Sequence, residues 1–98
     1  MKHLSIRVTG RVQGVFFRVS TQRKALELGV NGTVRNEIDG SVAIEAEAEP
    51  PALDRFVAWC RKGPANADVK RLAVTDILRT DLKLKNELHF YLRHFSRI

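Results

Sequence analysis

The run Gly10-Arg11-Val12-Gln13-Gly14-Val15-Phe16-Phe17-Arg18 holds the residue types and spacing that point most directly to chemistry. Glycines at 10 and 14 allow backbone conformations that other residues resist, and they leave neighbouring amides uncovered. A loop that runs into a helix N-terminus can aim several N–H groups, and the positive end of the helix dipole, at one anion. Arg18 would open that helix and add a planar, permanently charged fork to the same place. Together these features describe a cradle for a phosphate group. Glycines between a strand and a helix are also compatible with a plain turn, and the spacing alone leaves both readings open.

Other chemistries find less support. The nucleotide-binding pattern GxxxxGK[ST] is absent, as is GxGxxG, so a nucleoside triphosphate site is not expected. There is no HxxxH, CxxC or carboxylate cluster to hold a metal, and no side chain is marked as an activated nucleophile. His3, His89 and His94 lack spacing partners and read as structural. Asn36 sits before a turn, where asparagine often serves only as a hydrogen-bonded polar residue. Cys60 falls in an apolar stripe and reads as a small buried hydrophobe, with Trp59 beside it partly in the core.

The elements that must position these residues follow from periodicity. Residues 3–9 alternate, with Leu4, Ile6 and Val8 on one side and Ser5, Arg7 and Thr9 on the other, as in a half-buried strand. Residues 17–28 carry a helical stripe of Phe17, Thr21, Ala25 and Leu28, closed by Gly29. Residues 30–36 and 41–48 read as two strands, and the Asp39-Gly40 pair between them predicts a hairpin. Pro50-Pro51 opens a second helix, in which Leu53, Phe56, Val57 and Cys60 form one face. Arg61 and Lys62 suit its C-terminal end, and Gly63-Pro64 stops it. Further strands are expected within 69–78 and at 88–95. The order β-α-β-β-α-β predicts a single domain over 1–98, an α+β ferredoxin-like sandwich with two helices on one face of an antiparallel sheet.

Composition sets the outer bounds. The 98 residues are 44% hydrophobic and 29% charged, enough for one core. No stretch approaches the roughly 20 apolar residues that span a bilayer. Ser5 and Arg7 interrupt any signal-peptide core, and a lone cysteine cannot form an intrachain disulfide, so a cytoplasmic location is expected. The 17 Lys and Arg against 11 Asp and Glu give +6, which favours anions near the surface without choosing among them. The basic residues are spread along the chain, as on a solvated face.

Val8-Thr9-Gly10-Arg11-Val12-Gln13-Gly14-Val15-Phe16-Phe17-Arg18 resembles the first signature of the acylphosphatase family. Gly32-Thr33-Val34-Arg35-Asn36-Glu37-Ile38-Asp39-Gly40-Ser41-Val42 resembles the second, except that Thr33 replaces the usual aromatic, and Ala48 stands where a glycine is common. The likeness continues through residues 63–71 and the final strand. It implies hydrolysis of acyl phosphates to a carboxylate and inorganic phosphate, with no cofactor, no metal and no covalent phosphoenzyme. It also implies that Val12, Gln13, Gly14, Val15, Phe16 and Phe17 form the cradle, that Arg18 binds the phosphoryl group, and that Asn36 orients the attacking water. The missing aromatic at Thr33 is expected to bear on the wall of the site, through packing or substrate fit, more than on the chemistry.

The expected partners are therefore a small-molecule acyl phosphate and its phosphate product, with no membrane partner and a monomeric state. A nucleic-acid-binding module of the same plan is the alternative, suggested by the charge and by Phe16 and Phe17, but the RNP aromatic motif is missing. A domain that has lost activity, or that binds carbamoyl phosphate within a larger system, is a further alternative. A chain of 98 residues leaves little room for that larger system.

Overall fold

A computed structural model describes residues 1–77 of the chain. Its elements are β1 (Lys2–Arg11), α1 (Phe17–Leu28), β2 (Asn31–Asn36), β3 (Val42–Ala48), α2 (Pro50–Lys62) and β4 (Asp68–Ile77). The expected strand at 88–95, with His89 and His94, lies outside the described residues. The strands form one antiparallel sheet in the order β2-β3-β1-β4. This is the predicted βαββαβ ferredoxin-like sandwich, with β1 running two residues past its expected end.

The alternation in β1 sets the layers. Leu4, Ile6 and Val8 lie across from Ala46, Ile44 and Val42 of β3, so six apolar side chains share one face. Phe17, Thr21 and Ala25 of α1 and Leu53, Phe56 and Cys60 of α2 are buried with that face. Removing a side chain such as Phe56 or Ile44 from water contributes about 1.5–3 kcal/mol. Both helices stop where the sequence says they should. Gly29 takes a left-handed conformation and returns its N–H to the last turn of α1, and the Gly63 N–H donates to the Trp59 carbonyl at 2.7 Å.

Cys60 is buried in this core as expected, and burial pushes its thiol from 9.0 up to about 12. The stability tied to the neutral thiol is fully present below 9.0 and is lost as the pH climbs through about 12. Thiol-reactive dye at pH 8 should therefore leave the native protein unlabelled and modify one cysteine per chain in denaturant. Rapid native labelling would contradict the packing of α2 on the sheet.

The opposite face of the sheet carries polar groups. His3 is buried there despite falling out of phase with Leu4 and Ile6, and its Nε2 donates to Glu45 Oε1 at 2.6 Å. The Ser5 hydroxyl donates to Glu45 Oε2 at 2.8 Å. One carboxylate thus ties two β1 side chains to β3, which gives His3 the structural role expected of it.

Candidate active site

The register explains why the two signature segments meet. β1 and β2 both pair antiparallel with β3, so they run parallel to one another on either side of it. Val8 and Asn36 both lie across from Val42. The chain leaving β1 for α1 and the last residue of β2 therefore reach the same end of the sheet.

Beyond that end of the sheet the backbone makes unusual turns. The β1–β4 register shifts at Thr9/Gly10, where β4 comes so close that a Cβ on Gly10 would lie 2.2 Å from the Asp68 carbonyl oxygen. Gly14 follows at φ 74°, a conformation available to glycine at little cost. Phe16 is left-handed too, at φ 63°, which costs a non-glycine residue about 1 kcal/mol or more. Reversals of this kind build anion-binding concavities from backbone N–H groups. Phe16 is also the residue that caps α1, and its side chain has no oxygen to satisfy the first-turn amides, which stay available to another acceptor.

Three apolar residues, Val12, Val15 and Phe17, anchor this strained path. Val12 and Phe17 are each 1% exposed, and Val15 packs against the same core. The Phe17 ring lies 5.8 Å from that of Trp59, tilted by 51°. Phe16 points the other way and is 75% exposed.

A cleft of about 220 Å³ opens over the loop, lined by Val12, Gly14, Phe16, Phe17, Arg18, Val19 and Asn36. Both residues expected to carry the chemistry are in it. Arg18, in the first turn of α1, is half-buried and makes no ion pair or side-chain hydrogen bond among the described residues. Asn36 shares the parity of buried Val34, so it faces the helix layer, and its side chain is likewise unbonded among those residues. Val19 was missed in the sequence; one turn of helix beyond Phe16 is the signal that could have found it.

Gln13 and Val15 do not line the cleft with their side chains. Gln13 turns to the β2–β3 turn, where Nε2 donates to the Glu37 carbonyl at 2.8 Å and the Ser41 carbonyl at 2.9 Å. That turn is braced further by Asp39, which accepts from the Ser41 hydroxyl at 2.6 Å and the Ser41 N–H at 2.9 Å. Those donors, and then the Arg7 guanidinium, hold the Asp39 carboxyl below its usual range. Its support for the turn is present above that range and lost on strong acidification.

Thr33 requires a correction. It has the opposite parity to Val34 and Asn36, and it lies across from Glu45 on the other face of the sheet. The missing aromatic therefore leaves the wall of the cleft untouched. Ala48 is a buried core residue at the far end of β3, across from Lys2.

A ferredoxin-like sandwich in which an uncapped helix start, Arg18 and Asn36 border one cleft defines the class: a small α+β domain whose cleft is suited to an anion. The comparisons place it within that class. The family model described as Acylphosphatase matches residues 4–85. The acylphosphatase of Methylococcus capsulatus is 49% identical over 80 residues, covering 76% of this chain and 87% of that relative. The crystal structure of the acylphosphatase from Bacillus subtilis superimposes with a TM-score of 0.79 at 37% identity, over 83% of this chain and 90% of that one. The Coxiella burnetii acylphosphatase gives 0.77 at 35% identity, over 82% and 84%. The chain belongs to the acylphosphatase family, a family of hydrolases.

Proposed function

We propose that the chain hydrolyses the carboxyl–phosphate bond of small acyl phosphates, with the phosphoryl group held by the backbone of residues 12–17 and by Arg18, and with water oriented by Asn36. The observation that carries this reading is the single cleft in which the loop, Arg18 and Asn36 meet. Water adds to phosphorus through its oxygen, the bond to the acyl oxygen breaks, and its electron pair departs on the carboxylate. Both water protons end on the phosphate, so a dianionic substrate yields a carboxylate and dihydrogen phosphate. A carboxylate is a good leaving group, so the protein's task is to align the water and to stabilise charge on the phosphoryl oxygens. Arg18 and the loop amides meet the second need, and Asn36 the first.

The reading assigns no role to a metal: among the described residues no three His, Cys, Asp or Glu side chains are grouped to hold one. It takes the chain as a cytoplasmic monomer of one domain. A single buried cysteine supports the first part, and no described helix is long and apolar enough to cross a membrane.

The test is steady-state hydrolysis of benzoyl phosphate with and without inorganic phosphate and chelator. Phosphate should inhibit competitively, since the cradle binds the transferred group whether or not an acyl group is attached. EDTA should leave the rate unchanged. Purely noncompetitive inhibition would displace phosphate from this cleft, and a loss with EDTA that added metal restores would end the metal-free mechanism.

A further inference from the structure

The two halves of the site come from distant stretches of chain, and one side chain bridges them. Gln13 lies between the two signature glycines, and the carbonyls it binds, those of Glu37 and Ser41, flank the turn that follows Asn36. The same two residues close the turn through the Glu37 N–H, which donates to the Ser41 carbonyl at 2.8 Å. The Gly40 N–H adds a bond to the Glu37 carbonyl at 3.1 Å. One side-chain nitrogen therefore uses both of its hydrogens to hold both stems of the turn. Among the described residues, no other hydrogen bond joins residues 12–16 to residues 37–41.

We propose that Gln13 is a positioning residue, whose side-chain amide sets the distance between the phosphoryl-binding loop and Asn36. The inference rests on the assignment of Asn36 to the water. The Glu37 carbonyl is one residue from Asn36, so holding it limits how far the asparagine can move from the loop. The half-buried Gln13 side chain leaves substrate binding to its own backbone, which a substitution retains. What a substitution removes is alignment, and a misplacement of about 1 Å between reacting groups costs on the order of 10²-fold in rate.

The experiment is a double-mutant cycle on benzoyl phosphate with Gln13→Leu, Asn36→Ala and the pair, each with its phosphate inhibition constant and its thermal midpoint. Leucine removes both donors at similar volume. Gln13→Leu should lower kcat by roughly 10- to 100-fold while the phosphate inhibition constant moves by less than about 3-fold. In the Asn36→Ala background the same substitution should cost less than about 3-fold, because the residue through which it acts is gone. Equal losses in both backgrounds, or a phosphate constant that rises in step with the loss of rate, would overturn the inference and make Gln13 a general loop brace. Should Gln13→Leu melt below the assay temperature, Gln13→Asn carries the same prediction, since its amide is one methylene too short to reach both carbonyls. Near-normal turnover in Asn36→Ala alone would instead remove the assignment on which the inference rests.

Discussion

Asn36→Ala should fall in kcat by about 10²- to 10³-fold, the effect of removing one oriented polar group from a hydrolytic site. Its phosphate inhibition constant should stay close to that of the wild type. The asymmetry follows from what Asn36 is assigned to touch. A group that meets the water rather than the phosphoryl oxygens loses its contact only on the way to the transition state, so ground-state affinity is spared. The fold should tolerate the change, because Asn36 is exposed at the end of β2 and its side chain is unbonded among the described residues. That placement also separates two explanations for the residue. An asparagine serving the hairpin would donate to or accept from the turn, whereas here Gln13, Asp39 and the backbone brace it. Circular dichroism and the thermal midpoint, recorded beside the kinetics, distinguish lost chemistry from lost structure. Near-normal turnover, or a loss explained by unfolding, would return Asn36 to the hairpin.

Arg18→Lys should give the complementary pattern, with both rate and phosphate affinity reduced. Lysine keeps the positive charge, so attraction at a distance survives. It loses the rigid fork that places two parallel N–H donors on two phosphoryl oxygens. The expected cost is about 10²-fold or more in kcat/KM, with a measurable rise in the phosphate inhibition constant. Arg18 is half-buried and lines the cleft, and no carboxylate pairs with it among the described residues. Among the described residues, therefore, no ion pair to its guanidinium would have to be displaced by a substrate. Retention of wild-type kinetics in Arg18→Lys would reduce the residue to a general source of positive potential. Ranking the two variants by their phosphate constants checks the division of labour directly: the lysine variant should bind phosphate more weakly than the alanine variant.

Much of the scaffold was legible from local rules. The alternation of Leu4, Ile6 and Val8, the stripe of Leu53, Phe56 and Cys60, the Pro50-Pro51 start and the glycines at 29 and 63 each act within a turn or two of chain. Every one of them forms the element it implied. The side taken by Thr33 was legible as well, since strand parity sets it opposite Val34 and Asn36; likeness to a motif tied it to the site, whereas parity placed it on the other face.

His3 and Gln13 were not legible, and for one reason. Parity turns His3 away from the apolar core, yet it is buried, and its ring donates to Glu45, which lies two residues along β3 from the Glu47 that sits across from His3. Gln13 reads as one more polar residue in a glycine loop until its partners are known, and those are backbone carbonyls, which no residue type announces. Residue types and spacing by themselves determined the elements and left the loop at 10–18, with Arg18, open between an anion cradle and a plain turn, because periodicity, capping and turn preference depend on a few neighbouring residues. Asn36 became a candidate only through its likeness to the second family motif. Only the tertiary structure decided that both candidates open into one cleft and that Gln13 spans its two sides. Those relations depend on β1 and β2 flanking β3 in a particular register, and register is settled by burying a whole sheet face at once.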